Sequence, residues 1–468
     1  MKVTLRRYGL MKFVKKKDND SERNLASIFA KGNAISKLSF LIWGIANIAN
    51  GQIVKGIMFL WLEISYLFYM ITTGVSSLGM MITLGTQEQG MYMNEETGIY
   101  EITQGDNSML ILLYGVVTIV LSAIFFVVWY VSIKSGEKAR CLKVNGKRVP
   151  GILEDIKQLF NKDIHRLLLA IPMLGILVFT VMPLIYMVLV AFTNYDASHQ
   201  PPAHLFTWVG FKNFIALFSS ADKLSATFWP VFGWTIVWGI VATFSCYFGG
   251  MFLAILINSK GIHGKKVWRT IFVTTMAIPA FISLLIVSSM LGENGIVNVL
   301  LQQWGFTTKA LPFLTNGTWA KWTVIIVNMW IGIPVTMLMV SGILMNIPAE
   351  LYESAKMDGA NPFVTFRKIT FPYMWFITTP YLITNLISNF NNFGVIYFLT
   401  GGKPSSLEYY KSAGKTDLLV TWLYKLTKDS SDFNLAATIG IVIFLISAGV
   451  SLLTYSKSNA LKNEEGFQ

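Results

Sequence analysis

Four asparagines fall within eight residues, at Asn385, Asn389, Asn391 and Asn392, in a stretch otherwise made of Leu, Ile, Phe and one Ser388. A second segment, Val327-Asn-Met-Trp-Ile-Gly-Ile-Pro334, sets another amide beside a Trp, a Gly and a Pro. An amide side chain is donor and acceptor at once, which suits the adjacent hydroxyls of a sugar. Aromatic faces suit the C–H side of a pyranose. Gly332 with Pro334 loosens a helix and lets backbone groups reach a ligand. The same amides also serve hydrogen bonding between helices in an apolar medium, and both uses fit the pattern.

Residues of catalysis do not fall into a working arrangement. Gly414-Lys415-Thr416 ends like a phosphate-cradling loop, but Tyr409 stands where the leading Gly belongs. There is no His-Glu-x-x-His, and His165, His199, His204 and His263 are scattered. Cys141 and Cys246 have no His or Cys neighbour at ligand spacing and read as structural thiols. The expectation is a chain with no catalytic residues, no metal and no cofactor of its own.

The elements that must position the amides follow from composition. The chain has 468 residues, 53% hydrophobic and 13% charged, where a soluble chain carries about 25% charged. Runs of about 20 apolar residues are long enough to cross a bilayer, and such spans must be helical because lipid offers backbone groups no partner. The fold class read from this is all-α and polytopic, with about eight transmembrane helices at 53–73, 109–133, 167–193, 231–257, 270–291, 322–345, 373–399 and 435–456. With the N-terminus in the cytoplasm, 28 of the 38 Lys and Arg lie in cytoplasmic segments and nine outside, with Lys55 at the mouth of the first span. That is the positive-inside bias. The net charge of +13 therefore orients the chain and does not mark a nucleic-acid binder.

The organisation expected is a basic cytoplasmic tail plus interfacial segment (1–52), two front spans with their loops (53–165), a six-helix core (166–456) with a cytoplasmic loop at 346–372, and a cytoplasmic tail (457–468). No signal peptide is apparent before Lys37. Residues 38–50 are too short to span and read as interfacial or re-entrant. Within the spans Glu63 is the one charged residue besides Lys55. It reads as packing against a polar neighbour or a partner, with proton relay as the lesser alternative. Ion-coupled transporters place ionisable groups in the membrane, so the pathway reads as built for an uncharged solute.

The 346–372 loop reads as helix, sharp turn, helix. Pro348 suits a first turn, Leu351, Tyr352 and Ala355 share one side, and Gly359 fits the left-handed position that ends a helix. Asn361-Pro362 restarts one as N-cap and first-turn proline. Lys356, Arg367 and Lys368 balance Glu350, Glu353 and Asp358. A neutral amphipathic helix suits a groove on another protein better than anionic lipid.

Glu353-Ser-Ala-Lys-Met-Asp-Gly359, closing at Ile369-Thr-Phe-Pro372, resembles the signature loop of ABC importer permeases. Glu353, Ala355, Gly359, Ile369 and Pro372 match; Ser354 replaces the usual Ala and Phe371 the usual Leu. Asn328-Met-Trp-Ile-Gly332, Asn389-Phe-Asn-Asn-Phe393, Gly401-Gly402 and Thr416-Asp-Leu-Leu-Val420 resemble the larger membrane subunit of maltose/maltooligosaccharide importers, over roughly 166–456. The resemblance implies a type I ABC importer permease architecture in a bacterial plasma membrane, with both termini cytoplasmic. It implies a heterodimer with a second permease subunit, two ATPase subunits that bind ATP and Mg, and an extracytoplasmic sugar-binding protein. The substrate implied is a neutral oligosaccharide of maltose/maltodextrin type, with a galacto- or raffinose-type sugar as the alternative. Asn328, Ile331, Gly332, Asn385, Ser388, Asn389 and Asn392 would line the sugar site, and Glu353, Ser354, Ala355, Asp358 and Gly359 would couple to the ATPase. Val335 stands where the family can place a sugar-contacting Tyr, which leaves room for other oligosaccharides. An ion-coupled secondary transporter, one rival class, would need carboxylates in the pathway, and a non-transporting membrane scaffold or receptor, the other, would not need an Asn and aromatic cluster at membrane depth.

Overall fold

The computed structural model describes residues 24–94, 98–219, 222–259 and 261–457. Residues 1–23 of the basic tail and 458–468 of the C-terminal tail lie outside the described residues. The chain divides into two compact units, one running to Leu189 and including Ser198–Trp208, the other formed by Val190–Ala197 and the chain from Val209 onward.

In the first unit the apolar runs close their backbone hydrogen bonds internally, as helices. Helix α1 spans Ile53–Thr83, ten residues past its expected end, because Val75–Thr83 stays apolar and helical after a π turn at Met70–Gly74. Helix α2 spans Ser108–Val144, well beyond the expected 133. Its charged end has no proline before Asn145-Gly146 and carries an Arg140–Glu137 pair at 2.5 Å. Helix α3 (Ile152–Asn161) and helix α4 (Ile164–Val190) follow.

Between α1 and α2 lies the one pair of strands among the described residues. Strands β1 (Gly90–Met93) and β2 (Tyr100–Thr103) pair antiparallel, with Met91 opposite Ile102. Residues 38–50 hold no helix long enough to cross a membrane. Helix Ile45–Ala49 packs against α1 and α2, and Asn47 Nδ2 donates to Gln52 Oε1 at 2.8 Å and Ser135 Oγ at 2.9 Å.

The second unit holds α5 (Lys223–Asn258), α6 (Lys265–Ala277), α7 (Ala280–Met290), α8 (Gly317–Met345), α9 (Ala349–Met357), α10 (Phe371–Phe390), α11 (Phe393–Leu399) and α12 (Phe433–Lys457). The expected span 270–291 is not straight: α6 and α7 meet at 89° across Ile278-Pro279, where proline supplies no amide hydrogen. The expected span 373–399 is also broken. Asn392 Oδ1 accepts from Val395 N at 3.2 Å and starts α11 as its cap.

Among the described residues, six helices are long and apolar enough to cross a membrane, or up to seven with the bent pair. The remaining expected span is α10, in which Thr, Tyr, Pro and Asn replace much of the aliphatic surface. Half of the most apolar stretch of α8 and 44% of that of α5 are buried, so these two helices form the unit's centre. They approach closely because glycines remove the side chains between them. A Cβ added at Gly250 would lie 2.6 Å from Thr336 Cβ, and one at Gly332 would lie 2.5 Å from Cys246 Sγ.

Candidate functional site

The asparagines of α10 form a ladder. Asn389 Nδ2 donates to Thr243 Oγ1 on α5 at 2.9 Å and to Asn385 Oδ1 at 3.1 Å. Asn392 Nδ2 donates to Asn389 Oδ1 at 3.3 Å. Asn385 Nδ2 donates to the Tyr381 hydroxyl at 3.2 Å, and that hydroxyl lies 3.5 Å from Thr336 Oγ1 on α8. Trp238 Nε1 donates to the Asn389 carbonyl at 3.1 Å. The ladder joins α5, α8, α10 and the start of α11 with neutral groups only. Asn389 is 7% exposed; Asn385 and Asn392 are half-buried, and Ser388 is exposed. Asn391 is apart from the ladder and donates to the Ile387 carbonyl at 3.1 Å.

Asn328 belongs to a second group. Its Nδ2 lies 3.4 Å from Cys246 Sγ, the sulfur that also crowds Gly332. Ile331 packs beside the buried cluster of Trp234, Trp238 and Val324. Thr243 and Cys246 are three residues apart, so both groups reach one face of α5. Seven residues were expected to meet. Three of them, Asn385, Asn389 and Asn392, are directly linked, while Asn328, Ile331 and Gly332 adjoin from α8. Thr243, Tyr381, Thr336 and Trp238 were not singled out from the sequence. The i, i+4 spacing of Tyr381, Asn385 and Asn389 was the available signal, since it places all three on one helical face.

The signature loop folds as helix, turn, helix. Helix α9 begins at Ala349, and Pro348 sits just before it in extended conformation (ψ 130°), one position earlier than a first-turn proline. The helix ends because Gly359 turns left-handed (φ +73°), with Ala360 N donating to Ala355 O at 2.9 Å. Asn361 Oδ1 then accepts from Val364 N at 2.8 Å and Pro362 opens the next helix. The Tyr352 hydroxyl lies 3.1 Å from Thr370 Oγ1, tying α9 to the lead-in of α10.

That tie sets which edge of α9 faces inward. Leu351, about 100° round the axis from Tyr352, is 44% exposed and does not share the inner side with Tyr352 and Ala355 as expected. Glu353, Ser354, Asp358 and Gly359 are exposed and Ala355 is half-buried. Met357 (88% exposed) and Phe363 (70%) add an apolar surface to this outer edge.

Two features with possible chemistry are absorbed by the fold. Gly414 N donates to Asp417 Oδ2 and Thr416 Oγ1 to the Lys403 carbonyl, so the phosphate-loop look-alike is a turn closed on its own carboxylate. Burial pushes the Asp417 carboxyl above its ordinary range, against the pull of the Lys425 ammonium at 2.7 Å. In the first unit, Glu63 Oε2 accepts from Trp43 N at 2.8 Å, and Ser132 Oγ accepts from Gly44 N at 3.1 Å. Glu63 thus anchors the 38–50 segment.

Similarity to known proteins covers nearly the whole chain. The family model for "Binding-protein-dependent transport system inner membrane component" matches residues 246–457. The chain is 35% identical to the maltodextrin transport system permease protein MdxF of Bacillus subtilis (strain 168), over 91% of this chain and 95% of that protein. It is 32% identical to the galactooligosaccharides transport system permease protein GanP of the same organism, over 92% and 99%. With the maltose/maltodextrin permease MalF of Escherichia coli (strain K12) it shares 36% identity over 57% of this chain and 52% of that one. Among solved structures, a bacterial ABC transporter that imports the acidic polysaccharide alginate has a similar fold, with TM-score 0.53 at 22% identity, covering 65% of this chain and 98% of that chain.

Proposed function

The chain belongs to the family of binding-protein-dependent transport system inner membrane components, and on that premise we propose that it is the translocation subunit of an ATP-driven importer of neutral oligosaccharides of maltodextrin type. The observation that carries this reading is the near full-length similarity to MdxF together with a ladder built only from amides, hydroxyls and indole. Neutral donors and acceptors exchange partners with sugar hydroxyls without stranding a charge. Asn328, Ile331, Gly332, Asn385, Ser388, Asn389 and Asn392 would contact the sugar as it passes.

Energy would come from outside the chain. Two ATPase subunits, carrying ATP and Mg, would grip α9 through Glu353, Ser354, Ala355, Asp358 and Gly359. The Tyr352–Thr370 contact gives that grip a direct route into α10, the helix that bears the amides. A second permease subunit would complete the pore and an extracytoplasmic binding protein would deliver the sugar. Each partner would act by preferring one of two states of the spans. Both termini and α9 would face the cytoplasm of a bacterial cell, where the positive charge concentrates.

The similarity to GanP and Val335 in place of an aromatic favour a second reading, a galacto-oligosaccharide substrate. Growth of a deletion strain on a panel of single oligosaccharides separates the two. Loss of growth on maltodextrins alone is the expected result. Loss on galacto-oligosaccharides alone selects the second reading, and growth on every sugar overturns both.

A further inference from the structure

We propose that the cleft bounded by α1, α2, α3 and α4 binds the headgroup of an anionic phospholipid. This stands apart from the identity of the transported solute. The cleft measures about 420 Å³, within the range of about 300–1,000 Å³ typical of small-molecule sites. Lys55 from α1, Lys138 from α2 and Arg166 from α4 line it, over a floor of Met58, Ile156 and Leu159. Lys55 Nζ lies 3.2 Å from Asp155 Oδ2, and Arg166 Nε lies 3.7 Å from Asp163 Oδ1. These pairs orient two cations at the rim. Lys138 adds a third on an exposed side chain. Asp155 and Asp163 also line the cleft, so three cations face two carboxylates and leave one net positive charge, which matches the single negative charge of a phosphodiester beside apolar side chains that suit its acyl chains.

Helix α3 supplies the independent observation. Leu153, Ile156 and Phe160 recur at spacings of three and four and form one apolar edge, 72%, 44% and 56% exposed. The other edge is pinned by the Lys55–Asp155 pair, beside a bond from Gln52 Nε2 to the Pro150 carbonyl at 3.0 Å. A short helix with one apolar edge, set between two membrane-crossing helices, lies in the plane of the lipid–water boundary. Residues 134–166 carry nine Lys and Arg against four Asp and Glu. That excess selects an anionic lipid over a zwitterionic one, and phospholipid headgroups are the ligand present at that depth.

The test uses the full-length chain with its partner subunits in detergent, with native mass spectrometry of bound phosphatidylglycerol against phosphatidylcholine. Phosphatidylglycerol should be retained in preference. Lys138→Ala should lower that preference about fivefold, the factor one basic side chain contributes near an anionic surface. Lys147→Ala, exposed on the same basic segment but not part of the cleft lining, should change it less than about twofold. Leu153→Ser should weaken retention of both lipids equally. Equal retention of the two lipids by the unaltered chain overturns the proposal. So does a Lys147→Ala effect as large as that of Lys138→Ala, which would mean diffuse attraction. Displacement of phosphatidylglycerol by inorganic phosphate, or by an acidic partner protein at the same cleft, overturns it too.

Discussion

Asn389 carries more of the site than any other single residue, since its amide joins Thr243, Asn385 and Asn392. Replacing Asn389 and Asn392 together by Leu should cut uptake at least tenfold. It also leaves Asn385 Oδ1 without its donor and removes the Asn392 cap of α11, each at a cost of about 1 kcal/mol, so thermal stability should fall. A lowered melting temperature with normal uptake kinetics would assign the amides to helix bonding alone. Glu63 makes the opposite prediction. Glu63→Gln keeps an acceptor for Trp43 N, so the pH profile of uptake should not move; a shifted profile would bring proton coupling back. The asparagine cluster was visible in the sequence because amides are rare among aliphatics. Thr243 and Thr336 were not, because one hydroxyl in an apolar helix has no periodic partner until the fold supplies one, from 146 residues away for Thr243 and 45 for Thr336.

At the scale of elements, α9 presents Leu351 and Met357 outward beside Glu353, and Asp358 and Phe363 follow, exposed, just past its end. Met357→Asp should reduce co-purification of the ATPase about tenfold, a loss of about 1.4 kcal/mol, while leaving the spans assembled. Gly359→Asp imposes a left-handed conformation worth about 1 kcal/mol on a residue at the same edge and should lower sugar-stimulated ATP hydrolysis. Normal coupling in both variants would remove α9 from the dock. The long helices were legible from hydropathy, and Gly359 and Asn361-Pro362 from local turn chemistry. The 89° bend at Pro279 and the break at Asn391-Asn392 were not. An apolar run reads the same whether it is straight or bent, and Asn392 was read as a ligand contact when it also caps α11. The β1–β2 hairpin was missed because its alternation covers only four residues per strand.

For the molecule as a whole, the charge asymmetry predicts an orientation that can be measured directly. After replacement of Cys141 and Cys246, a cysteine at Ser406 should react with an impermeant maleimide in intact cells, and one at Lys147 only after permeabilisation. The reverse pattern would invert every loop and end the docking assignment for α9. The glycines at 250 and 332 bear on how the pathway changes shape. Each receives a side chain of the facing helix, Thr336 at Gly250 and Cys246 at Gly332, an interlock that resists sliding and couples α5 to α8. Rearrangement is left to the contact with α10, where each amide can trade one hydrogen-bonding neighbour for the next. The moving joint of this molecule would then be the same set of groups that would handle the cargo, so a passing sugar would act on the joint as it goes through.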